Sequence, residues 1–281
     1  MNYRHVYHAG NFADVLKHLV LARVVRYLQR KEKPFRILDT HAGCGRYDLT
    51  GEKAQRTGEW REGIGRLMTA DLPAKPAELA APYLDVVRGM NPTGAIEAYP
   101  GSPLLARRLM RTQDRLSAIE LHPEDFAELQ TLFDGDHHVR TTKLDGFLAL
   151  GGHVPFKERR GLVLIDPPFE DTGEVTRMLD GVARALRRFP GGTYCLWYPL
   201  KTGEPARGLV EGVRRLAPKE ALRCELSVRT RAKGLDGSGL LVVNPPFVLA
   251  EELGVLLPAI VPLLAQDETA GWRVEELVTS R

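Results

Sequence analysis

Short apolar segments alternate with amphipathic helical patterns along most of the chain, and this alternation restricts its fold more than any other feature. A helix that follows one strand and leads to a parallel strand covers one face of the sheet. Several such units in succession predict an α/β fold with a mostly parallel sheet and helices on both faces. Seven segments have strand character: 36–39, 116–121, 139–144, 161–165, 193–198, 222–228 and 240–243.

Two helical patterns are especially clear. Residues 11–30 carry apolar side chains at spacings of three and four, with Asn11 as the N-cap and Pro34 beyond the end. Residues 174–189 show the same periodicity. The last two strand segments are separated by a turn-rich loop with three glycines, which predicts an antiparallel hairpin at the sheet edge.

Residues 46–99 interrupt the alternation, since they are rich in charge, proline and small side chains and show helical pattern without a strand. We interpret them as a helical subdomain inserted into a domain formed by residues 1–45 and 100–281, in which residues 1–34 form a tail and a helix over the expected ligand site. The helix after the insertion then begins with Ser102 as N-cap and Pro103 at the first helical position.

Composition excludes several classes of protein. With 43% hydrophobic and 27% charged residues the chain is of ordinary globular type, and no apolar run reaches the roughly 18 residues of a membrane span. The N-terminus is too polar for a signal peptide. Three widely spaced cysteines without a CxxC pair disfavour a disulfide framework and a zinc site. We therefore expect a cytoplasmic protein with no membrane contact and no metal, and a monomer.

The first strand segment ends in the glycine-containing turn 39–45. Ligands bind at the carboxyl ends of parallel strands, and glycine lets a backbone approach them closely. The turn lacks the G-x-G-x-x-G pattern and the P-loop Lys-Ser/Thr pair, which weakens a dinucleotide or a nucleoside triphosphate interpretation. By itself, the turn is equally compatible with a tight connection that binds no ligand.

Two further strand ends carry acidic residues. Glu120 suits the acceptor of both ribose hydroxyls of a nucleoside; it follows Pro100 by 20 residues, the usual spacing once the insertion is set aside. Asp145 could accept the adenine amino group, and Gly146 would leave room for the ring. The alternative interpretations are that Glu120 is a solvated residue at a strand end and that Asp145 and Gly146 form a plain Asp-Gly turn.

The fourth strand segment stops at Asp166-Pro167-Pro168-Phe169. Neither proline can continue a strand ladder, so the loop is stiff. The Asp166 carboxylate and the Pro167 carbonyl could accept the two hydrogens of an exocyclic adenine amine, exposing its lone pair and stabilising the positive charge that develops during methylation. Phe169 could stack on the base. Asp166 is therefore the candidate catalytic residue.

A similar tetrapeptide, Asn244-Pro245-Pro246-Phe247, follows the last strand segment. We prefer Asp166, because its strand should neighbour the strand that carries the glycine turn, whereas the last strand should lie near the sheet edge. Asn244 is then structural.

Taken together, these motifs resemble the RlmJ family of bacterial 23S ribosomal RNA adenine-N6 methyltransferases. The most specific block is the N-terminal one, and the resemblance extends from residue 3 to about residue 258. The matching segments are 3–18, 38–43, 99–103, 120–123, 145–147, 166–169 and 244–246.

The resemblance implies a Rossmann-like methyltransferase fold with S-adenosyl-L-methionine (AdoMet) as the donor and 23S rRNA as the substrate. It also implies that Tyr3 reaches the substrate adenine. Phe169 stands where tyrosine is common, Cys44 replaces a small residue, and 170–173 looks divergent, so no substrate contact is transferred there. The residues expected to line the AdoMet pocket are His18, His41, Ser102, Glu120, Asp145, Gly146 and Asp166.

Clustered arginines could form a phosphate-binding surface, although each cluster alone is more typical of a solvated face. The net charge of +3 does not decide the question. Two alternatives stay open: a DNA adenine methyltransferase, and a non-catalytic RNA-binding protein that retains a relic pocket. The basic clusters are 23–30, 107–111, 187–188, 214–215 and 229–233.

Overall fold

The computed structural model describes residues 4–171, 173–201, 205–230 and 234–277. Helices and strands alternate through most of these segments. The strands are β1 Arg36–Asp39, β2 Arg46–Asp48, β3 Ala98–Pro100, β4 Arg115–Glu120, β5 Val139–Lys143, β6 Gly161–Ile165, β7 Thr193–Leu200, β8 Ala221–Ser227, β9 Gly237–Val243 and β10 Gly271–Glu276. The α-helices are α1 Phe12–Leu28, α2 Glu52–Thr57, α3 Arg66–Thr69, α4 Ala74–Met90, α5 Ser102–Leu109, α6 Pro123–Leu132, α7 Gly146–Gly152, α8 Glu174–Arg188, α9 Pro205–Arg215 and α10 Leu249–Leu264.

Eight strands form the main sheet, in the order β10-β8-β9-β7-β6-β1-β4-β5. The five strands from β7 to β5 in this order are parallel, while β9, β8 and β10 pair antiparallel. The mostly parallel α/β fold is thereby confirmed, but the count of seven strands is one too low. The missing strand, β10, is a half-exposed edge strand of sequence GWRVEE, in which only Trp272 and Val274 alternate with charged residues, too short a pattern to identify a strand.

The expected hairpin of β8 and β9 is present, but it does not form the edge of the sheet. Strand β9 lies between β7 and β8, and β10 covers the outer side of β8. The expectation that the last predicted strand lies near the edge was therefore wrong. Its continuous run of buried residues is typical of an interior strand.

Successive side chains of the strands point to opposite faces of the sheet, which therefore has a core on each side. Ile37, Leu162 and Leu164 pack with α1, α5 and α10. Leu38, Val163 and Ile165 pack with α7, α8 and α9. In the described segments, no helix has both the length and the apolar character needed to cross a bilayer.

Helix α1 begins as predicted, because the Asn11 side chain accepts hydrogen bonds from the backbone N–H groups of Ala13 (2.9 Å) and Asp14 (3.2 Å). The helix is more deeply buried than its apolar stripe suggested. Asp14 and Lys17 lie off that stripe and are nevertheless 1% and 4% exposed. Elements of the 46–99 segment pack in the same core as α1, so this helix is covered on more than one side.

Segment 46–99 is mostly helical, as predicted, but its two ends form strands, which the sequence analysis missed. Strands β2 and β3 pair antiparallel through only three residues each, too few to show alternation. Ile64 and Tyr83 from this segment lie in the core that also contains α1. Its backbone docks on the N-terminal loop, where the Ile64 N–H donates to the Gly10 carbonyl at 2.8 Å.

Gly63 permits this docking, and its replacement tests it. A Cβ at position 63 would lie 2.1 Å from the Gly10 carbonyl oxygen, so the two backbones must separate in Gly63→Ala. We expect a loss of about 2 kcal/mol in the free energy of unfolding, the usual scale of overpacking, measured by urea denaturation. Gly89→Ala is the matched control, since a Cβ there meets nothing within 4 Å and alanine favours helix. Equal stability of the two variants would contradict this account of docking.

Candidate functional site

The loops that follow the parallel strands surround a cavity of about 460 Å³, which we call the first cavity. It lies where the strand order reverses, because the chain continues from β1 to β4 and β5 on one side and later to β6 and β7 on the other. This switch point is the expected ligand site of an open parallel sheet. Its wall includes residues 40–43, 120–122, 145–147 and 166–168.

Glu120 lies in this wall, and its carboxylate is fixed by backbone donors. One oxygen accepts from the Gly43 N–H at 2.7 Å, and the other from the N–H groups of Leu121 (2.8 Å) and His122 (2.7 Å). Burial raises the pKa of Glu120, while these hydrogen bonds oppose the rise. The side chain thus ties the loop after β1 to the loop after β4 and presents its carboxylate at the cavity.

Asp145 also borders the cavity, as the N-cap of α7. One of its oxygens accepts from the N–H groups of Phe147 and Leu148, and the other from Arg177 at 2.5 Å. Gly146 lines the cavity too, and the structure gives a second reason for a glycine at this position. A Cβ there would lie 2.2 Å from the Thr40 carbonyl oxygen and 2.8 Å from the His41 ring, so the missing side chain makes room for the loop after β1.

His41 borders the cavity as the resemblance implied. Its Nδ1 lies 2.8 Å from the Thr40 hydroxyl, and its ring packs edge-on against Phe147. Burial lowers the pKa of His41 to about 4, so the imidazole is neutral at physiological pH. A neutral ring offers one donor and one acceptor.

Ser102 reaches the cavity, but the expectation that it caps α5 was wrong. Gly101 is the N-cap, and Ser102 is the first helical residue. Its hydroxyl instead donates to the Asp39 carboxylate at 2.6 Å. Burial raises the pKa of Asp39 to about 6, which the Ser102 bond opposes.

The resemblance assigns His18 to the AdoMet pocket, but His18 does not line the first cavity. It is fully buried; its Nδ1 lies 2.7 Å from the Tyr99 hydroxyl and its ring stacks on Tyr99. Its Nε2 has no hydrogen-bond partner among the described residues, and its assignment to the pocket stays a prediction. Tyr3 lies outside the described residues.

Asp166 borders the first cavity and is held by a lysine that the sequence analysis did not single out. Its carboxylate accepts from Lys17 Nζ at 2.6 Å, and the same ammonium lies 2.7 Å from the Asp14 carboxylate. The second oxygen of Asp14 accepts from the Gly10 N–H at 2.9 Å and lies 3.0 Å from His5 Nε2. In the sequence, this cluster is indicated only by the three-residue spacing of Asp14 and Lys17 within α1. The same spacing is equally typical of an ion pair on the surface of a helix.

The charges of this cluster depend on one another. Burial alone would lower the pKa of Lys17, but the two carboxylates raise it above its ordinary value. Burial alone would raise the pKa of Asp14, but His5 and Lys17 hold it well below its ordinary value. Asp14, Lys17, Asp166 and His5 thus form one coupled group of polar side chains beside the cavity.

A second cavity, of about 790 Å³, opens on the other side of this cluster. His5, Lys17 and Asp166 line both cavities. Pro167 lines the first. Phe169 lines neither, and its ring instead meets Trp197 of the second cavity edge-on, with centroids 5.6 Å apart.

Asn244 is structural, as predicted. Its side-chain amide donates to the carbonyls of Pro190 (2.9 Å) and Gly192 (2.8 Å). Because β9 runs antiparallel to β7, Asn244 lies at the opposite end of the sheet from Asp166. Within the described segments, no group of three or more potential metal ligands is present.

Asp14→Asn tests whether the buried ion cluster is a structural requirement. Removing one partner of the buried Lys17 should cost about 3 kcal/mol or more in unfolding free energy at pH 7. The Asp14 carboxylate titrates lower in the folded than in the unfolded chain, so it stabilises the fold at neutral pH. This contribution decreases as the pH falls below about 4, since the unfolded chain then binds a proton that the folded chain does not.

The difference in unfolding free energy between wild type and Asp14→Asn should therefore become smaller at low pH, as measured by urea denaturation. Asp85→Asn removes an exposed partner of Arg88 and should change stability by less than about 0.5 kcal/mol at any pH. A difference that stays constant with pH would show that the charge of Asp14 is not the cause.

Comparisons with known proteins agree with this geometry. The model of a family described as "Ribosomal RNA large subunit methyltransferase D, RlmJ" matches residues 32–278. Ribosomal RNA large subunit methyltransferase J of Escherichia coli K12 is 42% identical over 98% of this chain and 100% of that protein. The Haemophilus influenzae protein of the same name is 39% identical over 98% of both chains.

A solved structure supports the fold along almost the whole chain. The crystal structure of protein LPL1258 from Legionella pneumophila has a TM-score of 0.88 and 33% identity, with 95% of this chain and 98% of that chain covered. The family match extends from just after α1 through β10, and it includes every strand-end loop of the first cavity. The chain therefore belongs to the RlmJ family of ribosomal RNA large subunit methyltransferases.

Proposed function

We propose that this protein transfers a methyl group from AdoMet to the N6 amino group of one adenine in 23S rRNA. One observation supports the proposal independently of family membership. Asp166, held by Lys17, lies in the shared wall of two cavities, so one carboxylate faces both a donor site and an acceptor site. A direct transfer between two bound molecules needs this arrangement.

The first cavity suits the donor. Glu120 offers oxygen acceptors for ribose hydroxyls, Asp145 and the neutral His41 offer hydrogen-bonding groups for the adenine, and Ser102 also lines the cavity. The sulfonium of AdoMet supplies an activated methyl group and a positive charge. Seven carboxylates line this cavity against one lysine and one arginine, which favours a cationic ligand.

Asp166 and Pro167 supply the acceptors for the substrate amine. Conjugation with the ring makes the adenine N6 lone pair a poor nucleophile. Hydrogen bonds from its two N–H groups to the Asp166 carboxylate and the Pro167 carbonyl favour a pyramidal nitrogen and stabilise the charge that develops as the new N–C bond forms and the S–C bond breaks. The methylated nitrogen then releases one proton, for which the Asp166 carboxylate is the nearest acceptor.

Lys17 acts through Asp166 and is a positioning residue. Its ammonium donates a hydrogen bond to one oxygen of the Asp166 carboxylate at 2.6 Å and thereby fixes the position of this side chain. Because Lys17 projects from α1, this helix sets the position of the reacting carboxylate.

Asp166→Ala should reduce methyl transfer at least about 10²-fold. The variant loses both the hydrogen-bond acceptor for the substrate amine and the acceptor for its released proton. The measurement is incorporation of labelled methyl groups into 23S rRNA, with an unfolding curve to show that the fold is intact. Asp180→Asn, an exposed position on α8, is the control and should keep full activity. Near-normal turnover by folded Asp166→Ala would refute the proposal.

The choice of RNA over DNA is tested separately. Purified protein with AdoMet should produce N6-methyladenosine in deproteinised 23S rRNA from a strain that lacks this gene, and no methylated adenine in duplex DNA, as measured by nucleoside mass spectrometry. Methylation of the duplex alone would favour the DNA methyltransferase alternative. Absence of AdoMet binding in calorimetry would favour the non-catalytic alternative.

A further inference from the structure

We propose that Tyr83 and Tyr99 are positioning residues for the donor site. They hold the His18 ring in the tautomer that carries its hydrogen on Nε2, so that this N–H can donate to the carboxylate of AdoMet. The inference rests on the proposed methyl transfer and extends it to two residues of the 46–99 segment that do not line the first cavity. Tyr83 lies on α4 and Tyr99 on β3, whereas His18 lies on α1.

The three side chains form a chain of hydrogen bonds that is closed off from solvent. The hydroxyl oxygens of Tyr83 and Tyr99 are 2.8 Å apart, and the Tyr99 hydroxyl lies 2.7 Å from His18 Nδ1. All three residues are 0% exposed. The His18 ring also stacks on Tyr99, with centroids 5.4 Å apart, and meets Tyr83 edge-on at 5.8 Å. Aromatic contacts thus hold the ring in place, while the hydroxyls determine which nitrogen carries its hydrogen.

Burial makes all three groups neutral. It lowers the pKa of His18 to about 3; the charge of Asp14 opposes this shift, and that of Lys17 adds to it. Burial also raises the pKa of both tyrosines above the ordinary value. At physiological pH the imidazole therefore has one hydrogen for its two nitrogens, and each hydroxyl keeps its own hydrogen.

The two tautomers of His18 differ in how many buried groups they leave without a partner. If Nδ1 is an acceptor, Tyr83 donates to Tyr99 and Tyr99 donates to Nδ1, so only Nε2–H lacks a partner among the described residues. If Nδ1 carries the hydrogen, it donates to Tyr99. One hydroxyl hydrogen of the tyrosine pair and the bare Nε2 then both lack a partner in the described segments. Each unpaired buried group is costly, so the first arrangement is favoured.

The Nε2–H group is directed to the amino-acid end of AdoMet by the order of the strands. Lys17, next to His18 on α1, lines the first cavity and binds Asp166 after β6. Glu120 and Asp145, the proposed nucleoside contacts, follow β4 and β5 on the other side of β1. The part of AdoMet nearest α1 is then its amino-acid end, whose carboxylate accepts hydrogen bonds and whose ammonium does not.

Nitrogen NMR on the ligand-free full chain, labelled in its eight histidines, measures the tautomer. His18→Gln identifies the His18 resonances by their loss. At neutral pH Nε2 should carry the hydrogen, and Nδ1 should show the shift of a hydrogen-bonded acceptor. Tyr99→Phe should move the Nδ1 resonance to that of a nitrogen without a hydrogen bond. A hydrogen on Nδ1 in wild type, or an Nδ1 resonance that does not respond to Tyr99→Phe, would overturn the proposal.

Calorimetry with S-adenosylhomocysteine and with 5′-methylthioadenosine, which lacks the amino-acid end, measures the consequence for the donor. Tyr99→Phe should bind S-adenosylhomocysteine about tenfold more weakly, because the Nε2–H donor loses its fixed direction, and should bind 5′-methylthioadenosine as wild type does. Tyr83→Phe should show a smaller loss of the same kind, since Tyr99 can still donate to Nδ1. Tyr27→Phe removes a hydroxyl near the far end of α1 and, as the control, should leave both affinities unchanged.

Equal weakening of both ligands by Tyr99→Phe would show that Tyr99 only supports the fold, and an unchanged affinity for S-adenosylhomocysteine would show that it has no role at the donor site. Either result contradicts the proposal. Failure of the proposed function gives a different result, since wild type would then transfer no methyl group to RNA. If wild type binds S-adenosylhomocysteine and methylates RNA but the variants behave alike, only the role of the tyrosines fails.

Discussion

A lysine ammonium buried between two carboxylates is the interaction on which the rest of this site depends. The side chain of Lys17 is 5% exposed, and those of Asp14 and Asp166 are 1% and 14% exposed. Burying a charge is costly unless it is paired and hydrogen-bonded, so the buried Lys17 ammonium depends on its carboxylate partners. The ion cluster ties α1 to the loop after β6 and fixes the candidate catalytic carboxylate.

The 46–99 segment packs around the part of the chain that carries this cluster. Its Ile64 and Tyr83 lie in the same core as α1. Its backbone docks on the carbonyl of Gly10, and the N–H of Gly10 donates to the Asp14 carboxylate of the cluster. Glu59 and Glu62 of the same segment line the second cavity. One segment thus contributes both to the surroundings of α1 and to the wall of that cavity.

The acidic residues at the carboxyl ends of the strands were predictable from the sequence. Glu120, Asp145 and Asp166 each come directly after a buried strand, and parallel strands bring their carboxyl ends together, so their convergence could be inferred without coordinates. Lys17 could not be found this way, because its partner is distant in the chain and the side of α1 that carries it is polar.

The errors have similar causes. Strand β10 is a half-exposed edge strand whose alternation is too short to identify it, and β2 and β3 are too short for a period to show. Ser102 has the sequence context of a cap, but the buried Asp39 carboxylate competes successfully for its hydroxyl.

The most direct measurement is a crystal structure of the protein with S-adenosylhomocysteine and adenosine bound. The account predicts the sulfur in the first cavity, the adenosine base in the second, and N6 within hydrogen-bond distance of both Asp166 and the Pro167 carbonyl, with the Lys17 contact retained. It would be contradicted by a donor bound outside the first cavity, or by an Asp166 carboxylate turned away from the amine.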